Sequence, residues 1–249
     1  MAASSQSHQV GPGVVLGVLG SGGGVGASVL AAAVAVRAAA ARRLVVAVDG
    51  DRCGGGVDVL YGVEQEAGVR WTDLLGVRGP VDGPALLGRL PTAAGVRVLS
   101  FDRQWGTPPS LDVVADVLGG LARSTDLLVV DLPKPADPLF AAFAGRLDCA
   151  VLVCGDGVRS LAAASLVGPT LAAVCPETVI CMRGSPRSAF GDVVAEALGL
   201  PLLTWVRPER SLAADLVHGY PPATSGRSGL ARAADLVLAH VLLVDRLAS

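Results

Sequence analysis

The chain has 249 residues, 51% of them apolar and 17% charged, with a formal net charge of −2. That composition supplies a large core, excludes a disordered chain, and gives no overall electrostatic attraction to nucleic acid. The five scattered cysteines form no C-x-x-C pair and the three histidines are far apart, which excludes a zinc motif or disulfide framework and fits free thiols in a reducing compartment.

The lead MAASSQSHQVGP has neither a basic nor an apolar signal-type region, so residues 1–12 are expected to be disordered and 13–249 to form one soluble domain. Apolar runs bounded by Gly, Pro or Asp then recur at Val14–Leu19, Leu44–Val48, Val96–Phe101, Leu127–Val130, Cys149–Val153, Val179–Met182 and Leu202–Val206. Helical patterns lie at Ala27–Ala41, Leu111–Ala122, Pro138–Arg146, Arg159–Ala173, Gly191–Leu198, Arg210–His218 and Leu230–Leu247. Continuous apolar strands alternating with helices predict an α/β fold, a mostly parallel, doubly wound sheet covered on both faces. Gly54–Pro91 is weakly patterned, with short helical pieces near Thr72–Leu75 and Pro84–Leu90. The last helix is apolar around most of its circumference, but its charges are nearly balanced, so core packing is expected rather than membrane targeting.

The stretch GSGGGVGAS at Gly20–Ser28 joins the first strand to the first helix. One reading is a dinucleotide fold, with Gly22, Gly24 and Ala27 fitting G-x-G-x-x-A and Asp49 at the end of the next strand to bind a ribose. The other is a phosphate loop: Gly26 takes the second glycine, Ala27 the lysine position and Ser28 the hydroxyl position, where it would ligand Mg²⁺. Two features favour the second reading. LLVVDLP at Leu127–Pro133 places Asp131 at a strand end, as expected of an acid beside Mg²⁺, and a D-x-D, Asp49 and Asp51, follows the second strand.

The ordered set of glycine loop, DGD followed by GGGVDVLYG, DLP, DCAVLVCGD at Asp148–Asp156 and GLPLLTWVRPERSLAADLVHGYPP at Gly199–Pro222 resembles the MinD/ParA group of deviant Walker ATPases. The resemblance covers about Val14 to Leu243, and within the group the wording is most similar to actinobacterial CpaE-like proteins, including the septum site-determining Ssd type and TadZ-like proteins. It implies a P-loop NTPase fold of the MinD-like class, with ATP or ADP and Mg²⁺ as ligands. It further implies contacts from Gly22, Gly23, Gly24, Val25, Gly26, Ala27 and Ser28, metal-side oxygens from Ser28, Asp49 and Asp131, and a water oriented by Asp51. It also implies a cytoplasmic homodimer recruited to a pole, septum or secretion machine by protein partners; DNA is not indicated, nor is a membrane anchor in the chain itself.

The group's loop carries two lysines, whose positions here are Gly22 and Ala27. One lysine, Lys134, stands against nineteen arginines, yet these two sites became Gly and Ala, so the charge itself was discarded. A cation on a transferring phosphoryl group is worth roughly 10³–10⁵ in rate, which predicts slow or absent hydrolysis. The group's adenine-side asparagine falls near Met182. Lys134 and Arg52 are candidate relocated cations for an active ATPase, whereas Arg183 and Arg187 are expected in a solvated loop. A nicotinamide-dependent oxidoreductase is the third reading, though no catalytic dyad accompanies it.

Overall fold

The computed structural model describes residues 13–103, 106–186 and 190–248; the expected N-terminal lead and Arg187 lie outside the described residues. The elements run β1 (Val14–Gly20), α1 (Ala27–Ala40), β2 (Val45–Asp49), α2 (Val57–Tyr61), a 3-10 turn (Trp71–Leu74), α3 (Gly83–Leu87), β3 (Thr92–Ala93), β4 (Val96–Leu99) and α4 (Leu111–Ala122). They continue with β5 (Leu127–Asp131), α5 (Phe140–Ala144), β6 (Cys149–Gly155), α6 (Val158–Val174), β7 (Thr178–Arg183), α7 (Phe190–Leu198), β8 (Leu202–Val206), α8 (Leu212–Val217) and α9 (Gly229–Ala248).

The eight strands form one sheet in the order β3-β4-β2-β5-β1-β6-β7-β8, parallel except for the β3–β4 hairpin. Period-2 alternation divides the core between the two faces. Val14, Leu16 and Val18 of β1 join Val45, Val129 and Val151 under α1 and α9, while Val15 and Leu19 join Val46, Leu128 and Leu152 on the face covered by α3–α7. Gly17 packs directly under the Leu147 and Leu132 side chains, whose methyls would have to shift for a Cβ that would lie 2.6 Å from Leu147.

The last helix is a packing element, as its balanced charges predict. Leu230, Ala231, Ala234, Val237 and Val241 are buried, and Asp235 pairs with Arg37 of α1 at 2.7 Å. Among the described residues, no helix is long and apolar enough to cross a membrane.

Two elements depart from the sequence reading. The helix α2 has only five residues, too few to show a period; its first amide, Val57, donates to Asp49 Oδ2 at 3.1 Å, and Gly62 ends it with φ +64°. The strand β3 is two residues long, turned back by Ala94 and Gly95 at φ +48° and +79°.

Candidate functional site

β1 ends at the C-terminal edge of the sheet, where open parallel sheets bind ligands. The loop that follows is tied down at its start. The Ser21 amide donates to the Val153 carbonyl at 2.9 Å, and its hydroxyl hydrogen-bonds the Ser160 hydroxyl at 2.8 Å. Beyond Ser21 the backbone is open: a Cβ on Gly22, Gly23 or Gly24 would meet nothing within 4 Å, and Gly24 and Gly26 take φ of +75° and +89°. No side chain caps α1, so its first amides remain for a ligand. The loop walls a cavity of about 360 Å³ whose other polar lining is Asp51, Asp131, Lys134 and Arg183.

Asp131 ends β5 and is buried at the cavity wall. Burial, helped by Asp51, outweighs the lowering pull of Ser28 and Lys134 and holds its pKa up at about 6. Asp49 ends β2 as the register partner of Asp131, yet it is not part of the cavity lining. Its two oxygens accept the Asp51 and Val57 amides, both at 3.1 Å, and its carbonyl accepts the Trp71 indole at 2.8 Å. Burial, with Asp131 nearby, pushes its pKa up to about 8. Asp51 reaches the cavity, and its Oδ1 accepts the Cys53 amide at 3.1 Å.

Lys134 comes from the β5–α5 turn and donates to the Gly20 carbonyl at 2.5 Å. Partial burial lowers its pKa, against the pull of Asp51 and Asp131. Arg52 does not join the site; it stands 3.7 Å from Asp137 and lines a separate cavity beside Trp71. Arg183 corrects the sequence expectation of a solvated loop. It is the last residue of β7, half-buried, and a Cβ on Gly26 would lie 2.6 Å from its Nη1.

The strand order separates the two readings of the glycine loop. A dinucleotide fold places β2 beside β1, so that an acid ending β2 meets the ribose. Here β5 lies between them, and the Asp49 oxygens are taken by backbone amides. MinD of Pyrococcus furiosus superposes with a TM-score of 0.78 at 19% identity, over 93% of this chain and 99% of that one. A ParA family ATPase of Chlorobium tepidum gives 0.77 at 17%, over 92% and 98%. The fold is that of the MinD/ParA ATPases. MinD of Pyrococcus horikoshii, solved as a complex with Mg-ADP, gives a TM-score of 0.76 at 19% identity, over 95% and 97% of the two chains. No family profile matches the chain. The uncharacterized proteins Rv3660c and MT3760 of two Mycobacterium tuberculosis strains are each 37% identical over 208 residues. That match spans 83% of this chain but only 58% of either relative.

In MinD/ParA-fold terms, the structure brings together the glycine loop, Ser28, Asp51 and Asp131, and leaves Asp49 as the lock of its own turn. Met182 is fully buried in the sheet, so no adenine-side contact comes from it. Among the described residues, no three His, Cys, Asp or Glu side chains converge as a stand-alone metal site. The Ser28–Asp131 pair instead fits Mg²⁺, an ion held by one or two protein oxygens together with ligand phosphates and water. Sequence reasoning set a phosphate contact by Arg183 below a solvated loop, although a charged residue closing an apolar strand at the ligand-binding edge was a usable signal.

Proposed function

We propose that the chain is a nucleotide-responsive positioning or regulatory protein of the MinD/ParA group, in its CpaE-like/Ssd-like branch. It binds ATP or ADP with Mg²⁺ and hydrolyses it slowly or not at all. The observation that carries this reading is that Ser28 and Asp131 line one cavity with a glycine loop whose lysine positions are Gly22 and Ala27. The groups that would hold metal and phosphate backbone are kept, and the loop lysines that stabilise a transferring phosphoryl group are not. Loop amides and the α1 N-terminus would hold phosphate, Ser28 and Asp131 would hold a Mg²⁺ that neutralises its charge, and Asp51 would orient water. Asp49 holds the Asp51 turn in place rather than meeting the ion.

The output on this reading is assembly. Nucleotide favours a homodimer, which engages a protein partner at a septum or secretion machine that supplies the location. A MinC:MinD complex is known from Aquifex aeolicus, which supports a partner-dependent role for a protein of this fold.

Gel filtration with light scattering, paired with a phosphate-release assay, tests the reading. The expected result is a larger species with Mg-ATP than without nucleotide, and phosphate release close to background. Release at about 1 s⁻¹ or faster, the lower end for phosphoryl-transfer enzymes such as kinases, would contradict the weak-hydrolysis reading.

A further inference from the structure

Resting on the nucleotide reading above, we propose that Arg183 and Lys134 are the phosphate-holding cations of this site, gripping the di- or triphosphate of a Mg²⁺-bound ligand in place of lysines in the loop.

The two cations bracket the loop. Lys134 arrives from the β5 side and bonds the Gly20 carbonyl before the loop; Arg183 arrives from the β7 side and lies against Gly26 after it. The strand order β5-β1-β6-β7 puts β1 and its loop between them. Glycine at 26 is what admits the guanidinium: any Cβ there would stand 2.6 Å from Nη1, and φ is +89°.

Electrostatics argues for an anion at this spot. The N-terminus of α1 carries the positive end of a 14-residue helix dipole, an unfavourable neighbour for a guanidinium. Among the described residues, no carboxylate stands within 4 Å of the Arg183 guanidinium. A phosphate between the loop amides and the guanidinium satisfies the helix end and the arginine together, and the planar fork of Arg matches two phosphate oxygens. Lys134 spends one of its three donors on Gly20 and keeps two for the ligand. Asp51 and Asp131 share the cavity and repel a bare polyphosphate, so the anion enters with its divalent cation.

The ligand class follows. Both cations address phosphate oxygens, and Met182 offers no base contact, so recognition is of the Mg-polyphosphate more than of a particular base.

Calorimetric titration of the wild-type chain, Arg183→Gln, Arg183→Lys and Lys134→Gln with Mg-ADP and with Mg-pyrophosphate tests this, with thermal melts to confirm that each variant is folded. The wild type should bind both ligands. Arg183→Gln should lose about ten-fold or more for each, Arg183→Lys should recover part of the loss, and Lys134→Gln should lose several-fold. Glutamine variants within two-fold of a wild type that binds Mg-ADP would overturn the cation assignment and leave the nucleotide reading standing. Arg183-dependent binding of pyrophosphate without binding of ADP would support the assignment and contradict the nucleotide reading. A wild type that binds neither ligand at millimolar concentration overturns both.

Discussion

Asp49 and Asp131 are register partners on adjacent parallel strands, each the last residue of its strand and each buried, yet they are held in opposite ways. Asp49 is closed off: two backbone amides take its oxygens, one of them from Val57, eight residues on. Asp131 is left open: it lines the cavity together with Ser28, and among the described residues no backbone amide takes its carboxylate oxygens. Position at a strand end therefore does not by itself make an acid functional. What decides is whether the local chain has already consumed its lone pairs. Asp49 builds the turn that presents Asp51, and Asp131 faces the cavity.

Substitution separates the two roles most sharply. Asp49→Ala orphans two buried amides at about 1–3 kcal/mol each, so urea denaturation should show a loss of about 2–5 kcal/mol. Asp131→Asn should leave stability within about 1 kcal/mol of wild type while weakening Mg-nucleotide binding by about ten-fold or more, read by calorimetry. Equal destabilisation by both substitutions would erase the distinction.

A second, smaller effect is set by pH. Burial holds Asp49 at about 8 and Asp131 at about 6, both above the ordinary 3.8. Between those limits the folded chain binds more protons than the unfolded one, so stability falls as pH rises. The melting temperature should drop from pH 5 to pH 9, most steeply below pH 8, and Asp49→Asn should flatten the slope. A melting temperature that rises across that window would contradict the burial account of both acids.

The smallest effect is in the thiols. Cys53 is exposed on the turn that Asp51 builds, whereas Cys149, Cys154, Cys175 and Cys181 are buried, with burial pushing Cys154 and Cys181 up to about 12 and Cys175 to about 11. A thiol reagent at neutral pH should label one cysteine per native chain and five in denaturant. Rapid labelling of a second thiol would show that the sheet behind the glycine loop opens more readily than its packing implies.

Much of this arrangement was legible in the sequence. Continuous apolar runs bounded by Gly, Pro or Asp marked seven of the strands, and the expectation that the glycine loop, Ser28 and Asp131 share one site is matched by the single cavity they line. The insertion of β5 between β1 and β2, which separates a MinD/ParA fold from a dinucleotide fold, was not legible, because strand order is a tertiary property. The lock on Asp49 was hidden because its second partner, the Val57 amide, belongs to a five-residue helix too short to show a period. Arg183 was misplaced because the side on which a strand-ending residue projects depends on register with neighbouring strands. The Gly155–Arg183 pairing that fixes it appears only in the folded sheet.

Calorimetric titration of the wild-type chain with ADP, in the presence of Mg²⁺ and again with the metal chelated, tests the central claim most directly. The account predicts binding that depends on Mg²⁺, because on the proposed reading Ser28 and Asp131 hold the metal and the cavity carboxylates repel a bare polyphosphate. No binding at millimolar nucleotide, or binding indifferent to the metal, would contradict it.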